Sequence, residues 1–538
     1  MKKILTILVL GTLAAGAAAQ SKSYNLTKWI EIHSAVLKEL NLAYVDSLPI
    51  DRMEKAGIDE MLSKLDPYTV YIPQEENEDL QMMISKTYGG IGALIYKSGK
   101  EADLYINEPY ADSPAARNGL QCGDRILEID GVSVYGLDSK GCSDRMKGKP
   151  GTEVSLKVKK VRSGEIRDIR IVRERIRIPD VEYYGMLNDT TGYLALGGFT
   201  EGVASEVRGA VEKMKRENGM KRFVLDLRGN GGGLLSEAVD IVSIFVPKGS
   251  LVVSSKGNEA SENRDYRTSR DPVDETMPVI VLVDSGSASA SEIVSGALQD
   301  LDRATIMGGR TFGKGLVQNI RPLPYGGQIK ITVAKYYTPS GRCVQAIDYA
   351  HRNEDGSVGH IPDSLRHEFK TVHGRIVRDG GGVTPDVELK FKDYSRLTYS
   401  VVLGKIAEQY AMDYVARHDS IPAVDDFHFT DYEDFVEFAK TKEFDYRSSA
   451  KTYFDQMKRE LEKDGIDGTM SGELDALEKA INMDKEKVLR LKKDEIIPFI
   501  EEEIAVRYYF QRAGVQVRLR YDDQLKQALQ ILDSQKTR

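Results

Sequence analysis

At 538 residues the chain exceeds one ordinary core, and at roughly 100–200 residues per domain it divides into three or four modules. Its 41% hydrophobic and 29% charged residues describe a globular chain, neither disordered nor embedded in a bilayer. The 75 basic and 83 acidic side chains, a formal charge of −8, are spread along the chain and form no basic face, which excludes nucleic acid as a partner.

The chain opens on Lys2 and Lys3, an apolar run from Ile4 to Leu10 and the small residues Ala17, Ala18 and Ala19. That order predicts a secretory signal peptide over residues 1–19. The run is shorter than the roughly 20 apolar residues of a membrane span. The expected product is exported, periplasmic or extracellular, and does not span the membrane.

Over residues 20–86 apolar side chains such as Trp29, Ile32, Val36, Leu37 and Leu40 recur at helical spacing, which predicts a helical N-terminal cap. Residues 87–176 turn to short alternating strands between glycine turns, a β-rich domain. In residues 177–392 apolar strands, Phe223 to Leu227 and Val279 to Val283, run into small-residue turns and then helical patterns, the order of an α/β core. Residues 393–538 are helical and charged, with stretches at Val401 to Val415 and Ile496 to Tyr509, and Pro498 marks a boundary. The fold class is multidomain α+β. Internal packing, a homodimer contact and an adaptor site are the uses open to this last region.

Three cysteines leave at least one thiol unpaired in an exported chain. Cys122 and Cys142 either bridge or sit as small buried residues, and Cys343 reads as structural. The seven histidines leave a gap from His33 to His351, and no zinc spacing is present, so no metal site is expected.

Four motifs carry chemistry. The first runs Tyr88-Gly89-Gly90-Ile91-Gly92-Ala93, followed by Ser113 to Leu120 and Gly123 to Gly131. Gly89, Gly90, Ile91, Gly92 and Ala93 offer bare backbone N–H groups that a terminal carboxylate can reach, and no Gly-Lys-Ser follows to make this a phosphate loop. In order, the three segments resemble a PDZ domain, which binds a peptide by adding it as a strand. The second motif is Leu225 to Leu234, a strand ending in the run Gly231-Gly232-Gly233. It suits either a tight strand-to-helix connection or amides that hold an oxyanion. The third, Val281 to Ile293, is a strand, a turn of small residues and a helix start. Ser289 or Ser291 there can cap the helix, or a serine can gain the helix-end potential as a nucleophile. The esterase Gly-x-Ser-x-Gly elbow is missing, which disfavours a Ser-His-Asp triad. In the fourth, Gly309 to Gln318, Lys314 sits between two glycines beside Phe312. It reads as a solvated loop lysine or as one confined where desolvation favours its neutral amine.

Together with Leu65-Asp66-Pro67-Tyr68-Thr69, Tyr336 to Gly341 and Gly382 to Asp386, these motifs span roughly Leu65 to Glu388 and resemble the carboxyl-terminal processing peptidases, or tail-specific proteases. The resemblance implies a crotonase/ClpP-like protease core and no cofactor. It implies Ser289 as nucleophile, Lys314 twenty-five residues later as general base, and Gln318 four residues further as the residue that orients the lysine. The oxyanion donors it implies are the amide of Ala290 and that of Gly232 or Gly233. The function it implies is a serine endopeptidase cutting protein or peptide substrates with free C-termini. A non-catalytic PDZ scaffold on the same fold and a peptide-trimming relative are the alternatives. The intact Ser289, Lys314 and Gln318 set argues against the first, and exopeptidase products would mark the second.

Overall fold

The structure, a computed structural model, describes residues 24–390, 392–442, 449–481 and 485–535. The expected signal peptide lies outside the described residues. The chain divides into two units, Met1–Tyr71 and Ile72–Arg538.

In the first unit, helices α1 (residues 24–43) and α2 (Ile50–Ser63) form where the apolar spacing predicts. Several apolar side chains of α1 are open, with Trp29 63% and Val36 50% exposed, while Leu37 and Leu40 are half-buried. Asp66 accepts the N–H groups of Tyr68 at 2.8 Å and Thr69 at 2.9 Å, which turns the chain after Pro67.

The second unit begins with a small antiparallel domain. β1 (Thr87–Gly90) is followed by β2 (Ala93–Tyr96), β3 (Leu104–Pro109), β4 (Arg125–Ile129) and α3 (Ser139–Met146). Then come β5 (Glu153–Lys159), β6 (Ile166–Val172) and β7 (Glu174–Arg177). One sheet runs in the order β2-β3-β4-β5-β6, and β1 pairs separately with β7. Alternate residues, including Leu104, Ile106, Ile126, Val154, Leu156 and Val158, face inward and are fully buried. Cys142 joins that core; Cys122 is also buried, and both are free thiols.

A second sheet of six strands forms the larger core. It comprises β8 (Val181–Met186), β9 (Thr191–Leu196), β10 (Arg222–Asp226), β12 (Val279–Val283), β13 (Thr305–Gly308) and β16 (Val387–Glu388), in that spatial order. Only the first pairing is antiparallel. Between these strands run α4 (Val203–Asn218), α5 (Leu235–Val242) and α6 (Ala290–Asp300). A smaller sheet pairs β11 (Leu251–Gly257) and β14 (Leu316–Pro322) with β15 (Gln328–Tyr337).

Strands β10 and β12 read as unbroken apolar runs because both of their faces are covered. Phe223, Leu225, Val281 and Val283 pack with Val207, Val211, Ile241, Ile293 and Val294 of α4, α5 and α6. Val224, Ile280 and Leu282, pointing the other way, pack with Val515, Leu525, Ala528 and Leu532. Those four belong to the C-terminal helices α10 (Lys493–Tyr521) and α11 (Asp523–Gln535), which follow α7 (Arg396–Leu403), α8 (Ile406–Arg417) and α9 (Tyr432–Lys440). The helices α7 to α10 also share an aromatic core of their own, with Tyr410, Tyr432 and Phe435 fully buried.

Two boundaries differ from expectation. The stretch Val401 to Val415 is two helices, broken where Lys405 takes φ 55° after Gly404. Pro498 does not end a helix: it lies in the second turn of α10, and the break falls at Phe510, with φ 66°. There the Gln511 N–H, released from the helical ladder, donates to Glu108 of β3 at 3.0 Å. Asn107 accepts from Arg507 at 2.8 Å beside it, so the kink is held by the small domain.

Candidate active site

Two turns at the carboxyl ends of neighbouring parallel strands, β10 and β12, converge on the start of α6, the edge where open α/β sheets bind ligands. Asn230, fully buried, ties the two together. Its side-chain N–H donates to Leu196 O at 2.7 Å, and its Oδ1 accepts the Gly232 N–H at 2.9 Å. Its carbonyl accepts the Ala288 N–H at 3.0 Å and the Ser291 hydroxyl at 2.8 Å. Arg228, at the head of the same turn, is anchored from below by Asp226 and by Asp522 and Gln524 of the C-terminal helices.

Of the four serines between the end of β12 and the first turn of α6, Ser285 is exposed, and Ser287 and Ser291 are fully buried with their hydroxyls committed, Ser287 to Leu227 O at 2.7 Å and Ser291 to Asn230 O. Ser289 is half-buried and occupies the N-cap of α6 with φ 57° and ψ −111°. That conformation is sparsely populated for a side-chain-bearing residue and costs on the order of 1–3 kcal/mol, strain of the kind that clusters at functional sites.

Gly232 packs against this strained residue. A Cβ there would stand 2.8 Å from Ser289 Cβ and 2.9 Å from the Ala290 nitrogen, so only glycine leaves the space over that amide open. A Cβ on Gly233 would instead strike Phe199 O at 2.5 Å. The Gly232 amide is spent on Asn230, whereas those of Gly233 and Ala290 make no hydrogen bond among the described residues.

Lys314 lies in the loop from β13 to β14 and is half-buried. Phe312 is 45% exposed and does not cover it. The loop is confined instead by its glycines: a Cβ on Gly313 would sit 2.3 Å from Ala346 Cβ, and one on Gly315 would sit 2.7 Å from the Gln345 nitrogen. Gln318, on β14, donates its side-chain N–H to Thr332 Oγ1 at 3.2 Å across the ladder with β15.

What joins the serine turn to the lysine loop is a residue with no assigned role at the level of sequence, Glu292. Fully buried, its carboxylate accepts the N–H of Ser289 at 3.0 Å, of Gly313 at 2.7 Å and of Lys314 at 2.7 Å, and the Thr311 hydroxyl at 2.6 Å. Burial pushes its carboxyl up, and these four donors oppose the shift. The signal was available, because Ser289 and Glu292 hold the spacing of a capping box. Tyr336 makes the second link. Its hydroxyl is 2.7 Å from Lys314 O and 3.2 Å from Ser289 O. Tyr336 opens one of the segments that carry the resemblance, but nothing in that pattern ties it to a serine 47 residues away.

In the small domain, the predicted peptide-binding segment is divided. Gly89 and Gly90 belong to β1 and pair with Arg175 and Glu174, and Gly148 N–H donates to Gly89 O. Ile91 and Gly92 form the turn, and their amides donate no hydrogen bond among the described residues. Gly92 requires its φ of 75°, since a Cβ there would stand 2.5 Å from Ser113 Cβ. Ala93 opens β2, an edge strand of the sheet.

Comparison with known proteins matches these parts. Residues 190–350 match the model of Peptidase family S41, residues 105–160 that of a PDZ domain, and residues 397–532 that described as "Probable PDZ-protease, C-terminal helical domain". A carboxy-terminal-processing protease of Bartonella bacilliformis is 34% identical over 336 residues, covering 62% of this chain and 76% of the relative. A "Probable CtpA-like serine protease" of Staphylococcus aureus is 37% identical over 312 residues, 57% of this chain and 61% of the relative. Among solved structures the chain is similar to a photosystem II D1 C-terminal processing protease, at 26% identity and a TM-score of 0.37, over 66% of this chain and 86% of that one. With a PDZ domain, a serine-peptidase core and a C-terminal helical domain in the matching order, the chain belongs to the carboxy-terminal-processing protease family of serine peptidases.

Proposed function

We propose that this serine peptidase cleaves protein substrates near their C-termini by acyl transfer at Ser289. The observation that carries the reading is the place of Ser289 among the four serines of this segment: it alone is half-buried at the N-cap of α6, whereas Ser285 is exposed and Ser287 and Ser291 are fully buried and tied to backbone carbonyls. Lys314 in its neutral form takes the Ser289 proton, the alkoxide attacks a peptide carbonyl, and the lysine returns the proton to the leaving amine. The developing oxyanion is held by the Ala290 amide at the head of α6 and by the Gly233 amide, with Gly232 providing clearance. Water then releases the acyl-enzyme. Gln318, whose N–H is held by Thr332 Oγ1, is read as the residue that orients the lysine.

The substrate tail is read by the PDZ domain as an added strand on the open edge of β2, its carboxylate on the Ile91 and Gly92 amides. The core is read as crotonase/ClpP-like, on its parallel strands β9, β10 and β12, each leading into a helix. The limits proposed are residues 20–86 for a helical N-terminal cap, 87–176 for the PDZ domain, 177–392 for the protease core and 393–538 for the helical region. Export to the periplasm or beyond follows from the charged, apolar and small-residue order of residues 1–19. The buried faces of α10 and α11 favour internal packing over a dimer or adaptor contact for the last region.

A peptide ending in a free carboxylate should be cleaved with kcat/KM roughly tenfold or more above its amidated twin, the loss on amidation being one charge-assisted set of hydrogen bonds. Equal rates for the two would remove carboxylate recognition by the PDZ turn. Release of single residues from the substrate end, rather than of a tail fragment, would favour a trimming enzyme.

A further inference from the structure

Two side chains hold the backbones of both Ser289 and Lys314, and they hold opposite groups. Glu292 accepts the N–H of each. Tyr336 faces the C=O of each, at 3.2 and 2.7 Å. The two residues of the dyad, 25 positions apart in sequence, are thus clasped from both sides by one acceptor and one donor. We infer that Tyr336 is a positioning residue for the peptidase reaction: its hydroxyl, shared between the Ser289 and Lys314 carbonyls, sets the distance and orientation of nucleophile and base.

Several features support this. Tyr336 is 1% exposed and sits near the end of β15. Its own N–H donates to Gly315 O at 3.0 Å, so its backbone is registered to the residue after Lys314 and its ring cannot drift from the loop. Burial, with Glu292 adding to it, holds the phenol well above its ordinary range, so the hydroxyl stays a donor at any working pH. The Ser289 carbonyl it contacts belongs to the residue with the strained ψ of −111°. That carbonyl also accepts the N–H groups of Glu292 and Ile293, both at 2.9 Å, so it is fixed to the first turn of α6. Tyr336 adds its hydroxyl to this carbonyl and shares the same proton with Lys314 O, so the start of α6 and the lysine loop are tied through one group.

The inference rests on the Ser289 and Lys314 assignment, and the experiment separates the two. Full-length Tyr336→Phe, Tyr432→Phe and Ser289→Ala are compared in peptide cleavage, in labelling by a serine-directed fluorophosphonate and in thermal unfolding. Tyr432 is the matched control, a buried tyrosine donating to Leu489 O at 2.9 Å in the helical domain. Tyr336→Phe should lower kcat about 10- to 100-fold with KM unchanged, since about 1.4 kcal/mol per tenfold is what mispositioning by one lost shared hydrogen bond can cost. Fluorophosphonate labelling should slow by a similar factor. Tyr432→Phe should lose comparable thermal stability and keep its kcat. A Tyr336→Phe enzyme with wild-type kcat and labelling, or one whose loss is matched by Tyr432→Phe at equal stability, overturns the inference. An active Ser289→Ala overturns the dyad assignment beneath it.

Discussion

Replacing Ser289 by alanine should leave a folded protein without measurable peptide cleavage. In serine peptidases loss of the nucleophile costs roughly 10⁴-fold or more, because what remains is binding and the oxyanion hole alone. The substitution removes one half-buried hydroxyl, and as the loss of an N-cap it costs about 0.5–2 kcal/mol, well within the stability of a domain. Ser289→Gly should be equally inactive and more stable, since glycine adopts φ 57° without strain. Cleavage assays and chemical denaturation of the three proteins check this. Residual activity near wild type would move the nucleophile to Ser287 or Ser291, both of which would first have to leave a backbone carbonyl and come to the surface.

Lys314→Arg should be as inactive as Lys314→Ala, although it keeps the positive charge. A guanidinium is not deprotonated under working conditions, so it cannot receive the serine proton. A general base of this kind acts only as the free amine, and the wild-type rate should therefore rise with pH along one ionisation limb before levelling. Both variants should retain the fold, because the side chains holding this loop, Glu292 and Tyr336, grip the Lys314 backbone. The measurement is kcat/KM for the three proteins from about pH 5 to 10, a span wide enough to show that limb and its plateau. Substantial activity in the arginine variant would make Lys314 an electrostatic contact and end its role as base.

The strands that carry the site are legible in the sequence because they obey one rule each. Leu225-Asp226-Leu227 and Val281-Leu282-Val283 are apolar runs ending in small residues, and the structure places the ends of both at α6. The alternation in residues 87–176 likewise yields the small sheet. What stays hidden is coupling over distance. Asn230 looks like one more turn residue until its carbonyl is seen to join its own loop to Ala288 and Ser291. Tyr336 is a strand tyrosine by pattern and a bridge only by register. The Phe510 break has no glycine or proline to announce it. It exists because Glu108, some four hundred residues earlier, offers an acceptor to the freed Gln511 amide. Phe312, chosen for its position beside Lys314, turns outward because its own N–H is drawn to Ser287 O, and glycine contacts confine the loop in its place.

The cover that α10 and α11 lay over the six-stranded sheet bears on the order in which the protein can mature. Strands β9 to β13 leave the ribosome more than two hundred residues before Leu525, Ala528 and Leu532, which seal one of their faces. Until then Val224, Ile280, Leu282 and Met307 lack the cover of Val515, Leu525, Ala528 and Leu532 on that side. At about 1.5–3 kcal/mol for each large apolar side chain, roughly 6–12 kcal/mol of burial is missing, as much as the net stability of a whole domain. The peptidase core is therefore the last part to become stable, although it is centred in the chain, and a nascent enzyme has no finished site with which to attack its neighbours. A chain ending at residue 510 should accumulate as insoluble material while the full chain is soluble, as fractionation after expression would measure. Soluble, active protein from the shortened chain would show that the sheet can stand with one face bare.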